Sequence, residues 1–534
     1  MNKRISGLVV ALVLVLGIGG GTAAALLVDT DGATSSATSG SADSSATPGD
    51  PGTTTPSAPG ESPGGSVGVV PKGLEQYYAQ SLEWASCGSN ECSTLTVPID
   101  YQDPGGPTVD LNLERVPATD QADRVGSLVV NPGGPGAPGT SLLTDPTFAF
   151  GAPLLARYDI VAFDPRGTGE SDPIDCVSDS QLDGFLAQDP SPDDAAEGEQ
   201  LVREQDDFFA GCVASSDELI GHVSTVEAAR DMDVLRGALR EKKLAYLGFS
   251  YGTTLGGVYA QLFAKNVGRF VLDGATDPTL DFRESALSQA RGFQTALDAY
   301  VADCIAKGDC FLGDTPAEAL GAITGLLDSI DATPLPTSSG RDLQIGNAIY
   351  GVITPLYSKD NWSYLDQALQ EALDGTGDTL LLLSDFYASR NASGGYDDNS
   401  LEANLAINCL DDPSSLEAAD IPAEYPAFEE ASPTFGKTFA WFLVGCHGIE
   451  VKASEPSPTI RGKGADPILV LGTTRDPATP YEEAVALASQ LDSGVLISRD
   501  GDGHTAYNKG NACIDGAVEG YLLEGIVPQD GLEC

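Results

Sequence analysis

Gly248-Phe249-Ser250-Tyr251-Gly252 sets a serine between two glycines, with an apolar run before it and a helical pattern after it. In that context the serine is a candidate nucleophile. Strand, sharp turn and helix lift the Ser250 hydroxyl above a sheet edge, and the helix start favours developing negative charge. A plain Gly-Ser turn at a helix start is the alternative, and the flanks argue against it. A serine nucleophile needs a base, and the chain has three histidines. His504, in Asp500-Gly501-Asp502-Gly503-His504 just after the last strand pattern, is the candidate base. His222, ahead of a helix, reads as structural or surface, and His447, beside Cys446, as packing. The imidazole needs a carboxylate to hold its tautomer and stabilise its cation. Asp476, just past an expected strand in Gly472-Thr473-Thr474-Arg475-Asp476-Pro477, is placed for that, better than Asp466 or Asp492. Two backbone N–H groups must meet the oxyanion. Tyr251 supplies one, and Gly134 (or, second, Gly133) supplies the other from Asn131-Pro132-Gly133-Gly134-Pro135-Gly136. Together these residues describe acyl transfer.

Those residues require a sheet whose strands end at one edge. Ser127–Val130, Tyr158–Phe163, Leu244–Phe249 and Arg269–Leu272 read as strands, with helices expected over Val223–Leu239 and Tyr251–Phe263. Strands separated by helices imply an α/β domain, a mostly parallel sheet with helices on both faces. From 275 to 455 the pattern is mainly helical, over Glu284–Lys307, Pro316–Ile330, Trp362–Asp374 and Leu380–Ala388. Strands then return at Pro467–Gly472 and Gly494–Ser498, before a helix over Gly510–Leu523. The expected organisation is a core over 67–274 and 456–534, interrupted by a helical cap over 275–455.

Ahead of the core, Lys3 and Arg4 precede an uncharged run from Ile5 to Val28, long enough as a helix (about 36 Å) to span a bilayer. Its apolar centre and small residues also suit a cleaved signal, so residues 1–28 read as a signal peptide or an N-terminal membrane anchor. Residues 29–66, filled with Ser, Thr, Gly, Ala, Pro and Asp, read as a disordered linker. An even count of ten cysteines suits an oxidising, extracellular compartment. The expected pairs are sequence neighbours: Cys87/Cys92, Cys176/Cys212, Cys304/Cys310, Cys409/Cys446 and Cys513/Cys534.

Lys+Arg number 28 against 78 Asp+Glu, a net charge of −50. Such a chain is unsuited to nucleic acid or anionic lipid, so any membrane link is expected through the N-terminal segment alone. With 41% hydrophobic residues it can bury a large core. No Cys/His cluster suggests zinc, and Asp500 and Asp502 lack the rest of a calcium loop and read as solvated turn residues. Neither metal nor cofactor is expected, and the protein is read as a monomer.

From Tyr77 to Cys534 the chain resembles the secreted tripeptidyl aminopeptidases of actinobacteria, relatives of the proline iminopeptidases. The resemblance rests on Asn131–Gly136, on Asp164-Pro165-Arg166-Gly167-Thr168-Gly169-Glu170-Ser171, on Gly248–Gly252, and on the tail with Asp476 and His504. Nucleophile, acid and base stand in the chain order of α/β-hydrolases. The resemblance implies an α/β-hydrolase fold with a cap. It also implies a serine exopeptidase that releases short peptides from substrates with a free N-terminus. Proline iminopeptidases carry His before Gly-Gly-Pro-Gly; Asn131-Pro132 here favours the tripeptidyl branch. An aminopeptidase must recognise an ammonium, for which a cap carboxylate is suited. Asn404–Asp412 resembles a motif of these peptidases, which makes Asp411 the candidate, with a plain solvated aspartate as the alternative. An esterase on the same scaffold is the competing reading, followed by a catalytically silent surface binding protein.

Overall fold

The computed structural model describes residues 70–216 and 218–534. The expectations for the N-terminal segment and the linker, residues 1–66, lie outside it. Among the described residues ten strands form one sheet: β1 (Ala85–Cys87), β2 (Asn90–Pro98), β3 (Thr108–Val116), β4 (Gly126–Asn131), β5 (Tyr158–Phe163), β6 (Leu244–Phe249), β7 (Val267–Asp273), β8 (Ile468–Arg475), β9 (Gly494–Asp502) and β10 (Leu532–Glu533). Their order is β1-β2-β3-β5-β4-β6-β7-β8-β9-β10. Pairing is antiparallel from β1 through β3 to β5 and parallel from there to β10. The chain thus has an α/β-hydrolase architecture.

Nine helices matter to the site: α1 (Ala152–Arg157), α2 (Asp179–Ala187), α3 (Ala195–Ser215), α4 (Thr225–Ala238), α5 (Tyr251–Leu262), α6 (Phe282–Lys307), α7 (Ser400–Asp411), α8 (Tyr481–Gln490) and α9 (Ala512–Glu524). Central strands are apolar at nearly every position because both sheet faces are covered. The two-residue period sends Val129, Val161, Tyr246 and Leu272 into one core with residues of α4, α5 and α8. Leu128, Val130, Leu247 and Val271 go into another core with residues of α1 and α9.

A third core, with Phe293, Leu297, Ile323, Ile349, Leu365 and Phe439, holds the helical layer together. Leu201 of α3 belongs to it, and Leu182 and Leu186 of α2 pack with Ala388. Residues 179–215, which precede the expected cap in sequence, therefore build the helical layer too. The ten cysteines form the five neighbour pairs expected, leaving none free. No helix among the described residues is long and apolar enough to cross a membrane.

Two expectations need correction. The strand before His504 runs on to Asp502, and β10 follows it at the C-terminus, so β9 is not the last strand. Asp500 and Asp502 are not simply solvated: Arg475 pairs with both, at 2.9 and 2.5 Å, and Lys359 lies 2.9 Å from Asp502. These pairs fasten the end of β8 to the end of β9, and the cap to both.

Candidate active site

β6 ends at Phe249, and α5 begins at Tyr251. Ser250, between them, has φ +55° and ψ −127°, a strained conformation for a residue with a side chain. The flanking glycines are close-approach positions: a Cβ on Gly248 would lie 2.4 Å from Gly252 O and 2.6 Å from the Tyr246 ring. The turn is held below by Ser250 N–H donating to Asp273 O at 2.9 Å and by Tyr246 OH donating to Gly252 O at 2.8 Å.

Two strands away, β8 delivers Asp476 and β9 delivers His504. Nδ1 of His504 lies 2.8 and 2.9 Å from the two Asp476 oxygens. Asp476 also accepts from the backbone N–H groups of Ala478, Thr479 and Thr505 at 2.9 to 3.1 Å. It is a buried carboxylate with its acceptor sites filled, as burial of charge demands. Nδ1 bound to a carboxylate carries the proton, which leaves Nε2 as the basic nitrogen. His504 Nε2 is buried and has no hydrogen-bond partner among the described residues, so it is not hydrogen-bonded to Ser250. The cap closes over the imidazole. Tyr357 accepts from His504 N–H at 2.8 Å and sets its ring edge-on to it, centroids 5.6 Å apart.

The oxyanion candidates divide. Gly133 presses on the elbow: at φ +101°, a Cβ there would stand 2.6 Å from Phe249 O and 2.8 Å from Ser250 Cβ. Its own N–H donates to Asn131 Oδ1 at 2.9 Å, so it is occupied. Gly134 and Tyr251 N–H groups have no protein acceptor among the described residues, and both residues line the cavity with Ser250. Gly134, rather than Gly133, keeps an open donor.

That cavity, about 540 Å³, lies between sheet edge and cap. Its roof is aromatic, with Phe293, Tyr350, Tyr387, Phe439 and Trp441. Five aspartates line it (Asp277, Asp281, Asp398, Asp411 and Asp412), and among the described residues no Lys, Arg or His does. Asp411 is not a solvated residue. It accepts from Thr225 N–H at 2.9 Å and from Thr225 Oγ1, which is itself 2.5 Å from the Tyr251 hydroxyl. Burial pushes Asp411 up to about 6.

The wall carries residues to which the sequence assigned no role, although two of them lie in the Asn404–Asp412 motif. Asn404 of α7 donates to Pro135 O at 3.0 Å, and Asn408, one turn on, donates to Asn404 Oδ1 at 3.1 Å. Asn399, just ahead of α7, binds Gly167 O, Ile174 O and Gly169 N–H, all within 2.9 Å. The i, i+4 spacing of the two Asn was visible, but it equally describes a solvated helix face.

The Asp164–Ser171 loop is structural. Arg166, fully buried, meets Asp231 through two 2.7 Å bonds and carries the carbonyls of Pro98, Ile99 and His222. His222 lies at the surface end of this network, with Nδ1 2.7 Å from Glu227. Asp100, His222 and Glu227 bring their ligand atoms within 4.8 Å of one another. Glu227 is already taken up by His222 and by the hydroxyls of Ser224 and Ser454. His447 sits 2.6 Å from Asp206 and is partly exposed rather than packed. Asp466 and Asp492, the rival acids, pair with Lys243 and Arg461 on the surface.

Residues 432–534 match the family model described as TAP-like protein. The chain is 38% identical over 491 residues to serine protease Hip1 of Mycobacterium tuberculosis, covering 88% of this chain and 94% of that protein. It is 36% identical over 457 residues to carboxylesterase B of the same organism, covering 83% and 86%. With a tripeptidyl aminopeptidase of Streptomyces lividans it shares 31% identity over 475 residues, covering 85% and 86%.

Proposed function

Because the chain belongs to the TAP-like actinobacterial family of α/β-hydrolases and is a serine hydrolase, we propose that it acts outside the cell as an exopeptidase. In this reading it releases short peptides, tripeptides foremost, from free N-termini. The observation that carries the proposal is the cavity lining, five aspartates with no cationic side chain among the described residues. Such a wall favours an ammonium and disfavours an acidic or blocked end. Asp411 is the proposed ammonium ligand, since its oxygens keep acceptor capacity beyond the Thr225 bonds. The tripeptidyl aminopeptidase among the relatives supports the length, and five disulfides suit an oxidising compartment.

In the proposed mechanism His504 Nε2 takes the Ser250 proton as Oγ attacks the peptide carbonyl. Asp476 holds Nδ1 and stabilises the imidazolium. The Tyr251 and Gly134 N–H groups receive the oxyanion. His504 then protonates the leaving amine, and water, activated by the same nitrogen, releases the acyl group and restores Ser250.

An unblocked hexapeptide, followed by mass spectrometry, tests the reading. A single early cut after the third residue is expected, and cuts spread along the peptide would overturn it. Ester hydrolysis is the second reading, favoured by the carboxylesterase B relative. The open amides and the His504–Asp476 pair serve either bond type.

A further inference from the structure

We propose that Asp273, the last residue of β7, is a positioning residue that ties Ser250 to His504 across the sheet edge. The inference rests on the reading of these two as nucleophile and base. Asp273 lies between them, on the strand that separates β6 from β8. Its backbone carbonyl accepts from Ser250 N–H at 2.9 Å. Its carboxylate takes two successive amides of the histidine loop, Ala506 N–H on Oδ1 and Tyr507 N–H on Oδ2, each at 2.8 Å. With Thr505 N–H on Asp476 and His504 N–H on Tyr357 O, every amide from 504 to 507 is fixed. One rigid residue thus holds the elbow through its main chain and the loop through its side chain. Movement of either relative to the other would cost catalysis steeply, because the reacting atoms must meet within a few tenths of an ångström.

The two amides demand an ionised carboxylate. A protonated Asp273 would turn its O–H toward one of two N–H donors and lose that bond. The side chain is fully buried, and burial pushes it up to about 6. The titratable groups facing it are His504 and Lys509 from the loop after β9, whose cationic forms favour its ionised form, and Asp476 from the end of β8; burial lowers Lys509 to about 7, so it is a cation where Asp273 titrates. From β6 it meets the Ser250 amide. Lys509 Nζ is buried without a hydrogen-bond partner among the described residues. Beyond it Arg499 binds Thr505 O. Asp273 is therefore expected to lose its grip on the loop as pH falls through about 6.

The test is the rate of covalent labelling by a fluorophosphonate between pH 4 and 9, on wild type, D273N and K509M. D273N keeps the shape but holds only one amide, as the protonated acid would. Its labelling rate at pH 8 should fall about ten-fold or more. Its acid limb should be less steep than that of the wild type, by the proton that Asp273 takes up. K509M removes the facing cation and should move the wild-type limb to higher pH, by roughly half a unit or more. If D273N does not fold, K509M decides alone, and an unmoved limb overturns the proposal. A labelled wild type whose limb is unchanged in both variants overturns this proposal only. An unlabelled wild type overturns the serine reading and this proposal with it.

Discussion

Asn404 of the cap donates its side-chain N–H to the carbonyl of Pro135, 3.0 Å away, in the loop that presents Gly134 to the cavity. Through this bond α7 registers the cap against the oxyanion loop at one end of the helix, while Asp411 meets Thr225 at the other. Asn404→Ala removes the bond to Pro135, worth about 1 kcal/mol, or roughly five-fold, together with the acceptor of Asn408. The expected result is a kcat/KM for a free tripeptide anilide about five-fold lower, with little change in Tm.

Asp476 holds His504 through both carboxylate oxygens. Asp476→Asn would leave the imidazole near its place but favour the wrong tautomer. A fall in kcat of about 10³- to 10⁴-fold is expected. Ser250→Ala and His504→Ala should lose at least as much, with circular dichroism unchanged. Near-native turnover in any of the three removes that residue from the mechanism.

Gly133 leaves no room for a side chain, since a Cβ would reach Phe249 O at 2.6 Å from a backbone at φ +101°. Gly133→Ala must push the oxyanion loop off the elbow. The expected cost is that of losing an oxyanion donor, about 10²- to 10³-fold in kcat, read with saturating tripeptide anilide while binding of a product peptide persists. An unaffected kcat would show that the loop does not set the donor.

Glu483 on α8 joins core to cap. It accepts from Ser288 of α6 at 2.5 Å and from Asp277 N–H at 3.1 Å, and burial pushes it up to about 7. Its ordinary value is lower, so the folded state holds a proton that the unfolded state has released. Stability therefore declines as pH rises from about 4.5 toward 7. Glu483→Gln keeps an acceptor for Asp277 and a donor for Ser288 without the charge. At pH 8 the variant should unfold later than wild type, by an amount on the order of 3 kcal/mol at most. Near pH 5 the two should converge in thermal melts.

Ser250, Asp476 and His504 could be singled out as candidates because each follows an apolar run at a strand's end, and strand ends share one edge of a parallel sheet. The neighbour pairing of cysteines was legible for the same local reason. Asn399 and Asn404 were not, because their partners lie more than two hundred residues away, and Asn408 acts only through Asn404, one turn back on the helix. Asp273, in a chain with 78 acids, looks like any aspartate that ends a strand before glycine. Helices α2 and α3 join the cap through packing alone, which no spacing within them records. The antiparallel β1–β3 edge went unread although Leu95 and Val97 alternate with Thr94 and Thr96. It carries no chemistry and lies outside the βα repeat.

Comparison of a free-amine tripeptide anilide, its N-acetylated twin and a short-chain aryl ester, on the described domain, tests the central claim most directly. The account predicts rapid cleavage of the free tripeptide and at least a hundred-fold loss on acetylation, since the acetyl group removes the charge that five aspartates face. Equal cleavage of both peptides would contradict the ammonium site, and turnover of the ester alone would contradict the peptidase.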